Sequence, residues 1–234
     1  MTSRVTMEAL IVAHGQPSNP QPPEDHLALL AKSVQKQLPG WKIRSATVAA
    51  AGRLEAELVQ MSANALVYPM FMSDGWFVSR VLPSRIKEAP IKMLPPLGFD
   101  PDLPTLASQI IQNIIDQKGW QTNDTRLLLA AHGSERGDRA AKAAYRFADM
   151  LHTQLKVLEL KVGFIEEAPF LKDKGIDLGK RSICLPFFAL EGDHFRNDIP
   201  QALKMAHFRG LQLPPLGEDK GIVELIAKAI ERAS

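Results

Sequence analysis

Three residues in the second half of the chain could do acid–base or metal chemistry together: His132, Glu166 and His194. Neutral imidazoles accept protons near neutral pH and also bind divalent first-row metals such as iron, cobalt, nickel or zinc. A carboxylate beside them can orient a ring or relay a proton. His132 closes the apolar run RLLLAAH, Glu166 follows VGFI, and His194 follows SICLPFFALEGD. Glu167 is adjacent, but Glu166 lies closer to its apolar run. Read singly, a histidine at a strand end caps a turn and a Glu pair is a solvated strand end. Two imidazoles at corresponding strand ends, each near a glycine, favour chemistry, either metal ligation or proton acceptance. His26, His152 and His207 lie in or beside helical patterns and read as surface or packing residues. Arg136 and Arg139 follow His132, and Arg196 follows His194. Guanidinium groups in strand-end loops are placed to hold carboxylates or phosphates bidentately.

Other chemistries are argued against by what is missing. No G-x-G-x-x-G follows an apolar run, and GIDLGKR at Gly175 to Arg181 is one residue short of a P-loop and lacks Ser or Thr after Lys180. ATP and NAD dependence are therefore not expected. A strand followed by His-Gly also occurs in histidine phosphatases, whose phosphorylated His is preceded by Arg. Here the preceding residues are Ala13 and Ala131, which argues against phosphoryl transfer.

The elements that would position these groups come in two copies. EALIVAHG is answered by RLLLAAHG, which sets His14 opposite His132, 118 residues on. Pro69, Gly75 and Pro83 are answered by Pro186, Gly192 and Pro200, each 117 residues on. LPPLG at Leu94 to Gly98 recurs unchanged at Leu213 to Gly217. The chain is a tandem duplication joined near Gln117 to Thr125, giving lobes of residues 1–117 and 118–234. The copies differ where chemistry would lie. Phe77 stands opposite His194, and Ala49 and Ala50 stand opposite Glu166 and Glu167, so the first lobe carries a degenerate site that keeps only His14.

ALIVA, ALVYPMF, RLLLAA and SICLPFF are short apolar runs without clean alternation, as expected of strands covered on both faces. Between them lie helical stripes. One is Leu27, Leu30, Ala31, Val34 and Leu38, stopped by Pro39-Gly40, and its answer is Ala140, Ala144, Phe147, Leu151 and Leu155. Each half closes on another: Leu103, Leu106, Ala107, Ile110 and Ile114, then Ile222, Leu225, Ile226, Ala229 and Ile230. The expected class is α/β: two similar lobes, each a central parallel sheet flanked by helices. Ligands of such sheets bind beyond the carboxyl ends of the strands, where both His14 and His132 fall.

The 234 residues carry 28 Lys and Arg against 26 Asp and Glu, a formal charge of +2. This balance provides no global attraction to nucleic acid or to a membrane surface, and neither is expected as a partner. The single Cys184 lies in an apolar run and reads as a buried thiol of a reducing compartment. The five apolar residues Ala9 to Ala13 are too few for a signal peptide or a membrane span, so a cytoplasmic location is expected.

A strand ending in AHGS, a later strand with F-x-E, and LPFFALEGDHFRNDIP closely resemble the CbiX-type family of class II chelatases, which insert a metal into sirohydrochlorin. The resemblance covers the whole chain as two fused copies. It implies that His132 and His194 form the metal-site pair and that Glu166 is the assisting carboxylate. Phe77 for the motif His, and Val81-Leu82-Pro83 for D-I-P, limit the implied metal site to the second half. The family fold has two α/β lobes with the tetrapyrrole between them. No permanently bound cofactor is implied; the divalent metal, Fe²⁺ or Co²⁺, is a substrate. Arg136, Arg139 and Arg196, with Arg53 or Arg80 from the other lobe, would hold the carboxylates of the substrate. Trp76, Phe77 and Phe195 are placed to supply its apolar walls or, as aromatics beside a strand end, to pack in the core. The chain lacks the His-rich or Cys-rich extension of some longer relatives linked to cobalt. The expectation is therefore a sirohydrochlorin ferrochelatase making sirohaem, with a cobaltochelatase of cobalamin biosynthesis as the alternative and a non-catalytic tetrapyrrole or metal carrier as the competing class. A monomer is sufficient because one chain carries both lobes, and a homodimer stays open.

Overall fold

The apolar runs form the middle strands of two separate sheets. The computed structural model describes residues 7–86 and 91–234. The first sheet contains β1 (Met7–Ala13), β2 (Trp41–Thr47), β3 (Leu66–Pro69) and the two-residue β4 (Lys92–Met93), all parallel, in the order β2-β1-β3-β4. The second contains β5 (Arg126–Ala131), β6 (Glu159–Phe164), β7 (Ser182–Pro186) and β8 (Leu211–Gln212), parallel in the order β6-β5-β7-β8. The central strands are buried almost throughout because helices cover both faces, so their sequences carry no polar alternation. The expected α/β class with two like lobes is what the chain adopts.

In each sheet the chain runs from the middle strand out to one side and then returns to the other. The order therefore reverses between β1 and β3 and between β5 and β7. A crevice opens beyond the carboxyl ends of adjacent strands at such a reversal. Helices α1 (Gln21–Gln37) and α2 (Arg53–Val59) connect the strands of the first sheet, and α5 (Arg139–Gln154) and the single turn α6 (Leu171–Lys174) those of the second. After β3 and β7 the chain enters a π-helical turn, Phe77–Val81 in one copy and His194–Asp198 in the other. Each turn leads directly into a short helix, α3 (Leu82–Ile86) or α7 (Ile199–Met205). Each copy closes on a longer helix, α4 (Leu103–Gln117) or α8 (Ile222–Ala233).

The compact units do not end where the sequence copies meet. One consists of the described residues up to Asp100 together with Lys220–Ser234, and the other of Pro101–Asp219. Each copy's closing helix thus belongs to the other copy's unit. Helix α4 packs on α5, and α8 packs on α1 and β3. The boundary expected at 117/118 falls inside the unit of Pro101–Asp219, because apolar periodicity says that a face must be buried without saying in which core. Helix α8 buries Ile222, Leu225, Ile226, Ala227 and Ile230. Helix α4 buries Leu103, Pro104, Ala107, Ile111 and Ile115, so its inner stripe is turned one residue from the expected Leu106, Ile110 and Ile114.

LPPLG has a packing reason in both copies. The Gly98 N–H donates to the Phe71 carbonyl at 3.0 Å and the Gly217 N–H to the Phe188 carbonyl at 2.9 Å. A Cβ at either glycine would lie 2.0 Å from a backbone oxygen, of Met72 or of Ala189. These glycines clamp the segments that lead from β3 and β7 into the π-helical turns.

Candidate metal centre

The unit of Pro101–Asp219 contains all three residues singled out for chemistry. His132 is the first residue after β5. Glu166 lies two residues past β6, and its N–H donates to the His132 carbonyl at 3.0 Å, which continues the ladder beyond the strand ends. His194 opens the π-helical turn after β7, so the two imidazoles come from the two strands that flank the reversal of order. His132 Nε2 and His194 Nε2 are 2.9 Å apart, with ring centroids at 4.3 Å and planes at 82°. Glu166 Oε2 lies 3.5 Å from His132 Nδ1. One donor atom from each of His132, Glu166 and His194 falls within 4.8 Å of the others. The side chains of His132 and His194 are 42% and 40% exposed, so the site is open to solute.

The outer nitrogens of the two rings have fixed acceptors. His132 Nδ1 is 2.9 Å from the Gly133 carbonyl oxygen, which can only accept. His194 Nδ1 is 2.6 Å from Asp198 Oδ2. Each Nδ1 therefore carries the hydrogen in the neutral ring, and each Nε2 lone pair faces the other. Two lone pairs at 2.9 Å repel unless a proton or a metal ion lies between them. Metal–nitrogen bonds of about 2.05 Å meeting at a right angle would span roughly 2.9 Å, so the spacing suits neighbouring ligands on one ion.

Gly133 lets the loop make this turn. Its φ is +75°, and a Cβ there would come within 2.8 Å of Glu167 Cγ and 3.0 Å of Phe164 Cβ. Glu167 has a structural task, accepting the Ser134 N–H at 2.8 Å. Gly192, by contrast, has no positive φ and open space around a Cβ built on it. Cys184 is fully buried in β7, and burial pushes its thiol well above the ordinary range, which removes it from metal chemistry.

The first copy repeats this frame without the donors. The Ala49 N–H donates to the His14 carbonyl at 2.9 Å, as Glu166 does to His132. His14 Nδ1 contacts the Gly15 carbonyl at 2.8 Å. Phe77 stands edge-on to His14 with centroids 4.2 Å apart at 89°, the place that His194 holds against His132. Val81 takes the place of Asp198 in the turn. One imidazole remains in that frame.

The surrounding residues divide. Arg136 and Arg139 are exposed, in the loop after β5 and at the start of α5, and Arg196 pairs with Glu191 at 3.2 Å on the surface. Arg53, expected to serve a substrate carboxylate, binds Glu24 at 3.0 Å and Glu57 at 3.2 Å within its own unit; Arg80 is exposed. Phe195, for which wall and core were both open, packs against the core formed by Leu128, Cys184, Ile199 and Leu203. Trp76 is 65% exposed and lies edge-on to Phe77. His26, His152 and His207 are exposed. Asp198 is the first residue of the D-I-P that the first copy lacks, but sequence reasoning gave it no role of its own. No described helix is long and apolar enough to cross a membrane.

The sequence matches the CbiX family over residues 8–114 and again over residues 126–233. Among solved structures it is similar to CbiX from denitrifying bacteria, described as the terminal enzyme for biosynthesis of siroheme. Identity is 41%, with 97% of this chain and 99% of that one covered and a TM-score of 0.89. SirB from Bacillus subtilis with Fe3+ shares the fold at 14% identity and a TM-score of 0.78, over 98% of this chain and 96% of that one. A probable sirohydrochlorin cobaltochelatase of Halobacterium salinarum is 24% identical over 60% of this chain and 57% of its own length.

Proposed function

The chain belongs to the CbiX family, and from that membership and the donor set of His132, Glu166 and His194 we propose that it is a sirohydrochlorin ferrochelatase, inserting Fe²⁺ to make sirohaem. The observation that carries the reading is the facing pair of Nε2 atoms at 2.9 Å, with a carboxylate beside it. Insertion exchanges one divalent ion for two pyrrole protons. The pair of lone pairs holds either a metal ion or a shared proton, so surrender of the metal to the ring leaves a site ready to accept a proton. His132 and His194 take the first one between them, and Glu166, beside His132 and exposed to solvent, relays the second. No permanently bound cofactor or nucleotide enters this scheme.

Arg136, Arg139 and Arg196 would hold the substrate's carboxylates. The Arg196–Glu191 pair is exposed, at 57% and 44%, and such pairs contribute about 0–1 kcal/mol, so a substrate carboxylate can replace Glu191. One chain suffices because the donor set lies within one unit. The buried thiol and the lack of a spanning helix among the described residues support a cytoplasmic site of action. Neither nucleic acid nor membrane is a partner in this reading.

Similarity to the siroheme enzyme, at 41% over nearly the whole chain, favours iron. The halobacterial relative favours cobalt and matches over a smaller part. Anaerobic incubation of the purified protein with sirohydrochlorin and Fe²⁺, Co²⁺ or both, followed by absorbance, tests both points. Insertion no faster than without protein would leave a carrier as the reading. Faster turnover of Co²⁺ than Fe²⁺ in competition would reassign the metal.

A further inference from the structure

We infer that Asp198 is a positioning residue: it holds His194 as the Nδ1–H tautomer and thereby aims the Nε2 lone pair at the point shared with His132. This rests on the proposed reading of the site as a metal centre. The Nδ1 to Oδ2 distance of 2.6 Å is that of a short, charge-assisted hydrogen bond. A carboxylate behind a ligating imidazole fixes its tautomer and orientation and raises its basicity as a ligand.

The duplication supplies an internal control against a merely structural role. In the first copy, Phe77 replaces His194 and Val81 replaces Asp198, yet the same five-residue π-helical turn forms. The Leu82 N–H closes it on the Phe77 carbonyl, as the Ile199 N–H does on that of His194. The turn therefore needs neither the imidazole nor the carboxylate. Within this chain the two are present together and absent together, as expected if the carboxylate serves the ring. The Asp198 side chain is 41% exposed, so no buried charge required the partner either. His132 has a neutral carbonyl in the corresponding place, with Glu166 farther off at 3.5 Å. His194 is thus the better-anchored ligand of the two.

The test uses the full chain and Co²⁺ alone. Nitrogen-15 spectra of the metal-free protein, with His194 assigned through His194→Ala, are expected to show Nδ1–H in the neutral ring. In Asp198→Ala they should shift toward the Nε2–H form that a free histidine side chain prefers in water. Anaerobic optical titration should show Co²⁺ held about 10–100-fold more weakly by Asp198→Ala, with Asp198→Glu recovering part of the loss. Thermal unfolding of the variants should match the parent, since Val81 serves the same turn. An Nε2–H tautomer in the parent, or equal Co²⁺ affinity in parent and Asp198→Ala, would overturn the assignment. If the parent binds no Co²⁺, the metal-centre reading fails instead, and the tautomer measurement alone decides the role of Asp198.

Discussion

At the scale of single residues, chemistry here depends on a few substitutions between two otherwise equivalent frames. His14 and His132 share the same carbonyl contact on Nδ1 and the same backbone bond from the neighbouring strand end. They differ in the ring packed against them: a phenyl in one copy and a second imidazole in the other. His194→Ala should therefore abolish metal insertion, while His14→Ala should leave most of it, each measured as a single-turnover absorbance change. Equal loss in both variants would mean that the first frame takes part in the chemistry. The imidazole pair and Glu166 were legible in the sequence because each lies beside an apolar run and because the other copy lacks them. Asp198 was visible but mute, since a spacing of four residues acquires meaning only once the turn that carries it is known.

At the scale of elements, the position of His194 depends on the segment between β7 and the π-helical turn, and that segment is held by a glycine far along the chain. A Cβ on Gly217 would lie 2.0 Å from the Ala189 oxygen and 2.6 Å from its carbonyl carbon, so the backbone must move. Gly217→Ala should cost about 1–3 kcal/mol, in the range of overpacked sites, and should slow insertion by displacing His194. Gly192→Ala, with open space around it, should do neither. Thermal unfolding together with the insertion rate separates the two variants; similar values for both would remove the clamp from the account. The recurrence of LPPLG was plain in the sequence, but its cause is a contact with a segment more than twenty residues earlier. Strands β4 and β8, two residues each, were not legible, because so short a pairing leaves no pattern of its own.

At the scale of the whole molecule, the repeat and the packing disagree about which residues belong together. Helix α8 covers α1 and β3 of the first unit, and its Arg232 reaches the buried Asp100 carboxylate at 3.2 Å. Its buried Ile222, Leu225, Ile226 and Ile230 contribute about 1.5–3 kcal/mol each. Together these approach the entire stability of a typical domain, about 5–15 kcal/mol. Deleting Gly221–Ser234 should therefore strip hydrogen-exchange protection from the first sheet while Pro101–Asp219 keeps its own. Undiminished protection in both units would show that α8 is dispensable. The two-lobe plan was readable from the repeat, whereas the exchange of closing helices was not, since both helices present similar apolar stripes.

That exchange inverts the usual order of events on the ribosome. Domains ordinarily complete themselves from the N-terminus onward as the chain emerges. Here the second unit, Pro101–Asp219, is fully synthesised before the first one has its last helix. Helix α1 and strand β3, both made early, lack the cover of α8 until residues 222–233 appear. The earliest-made half of the nascent protein is thus the last to be finished.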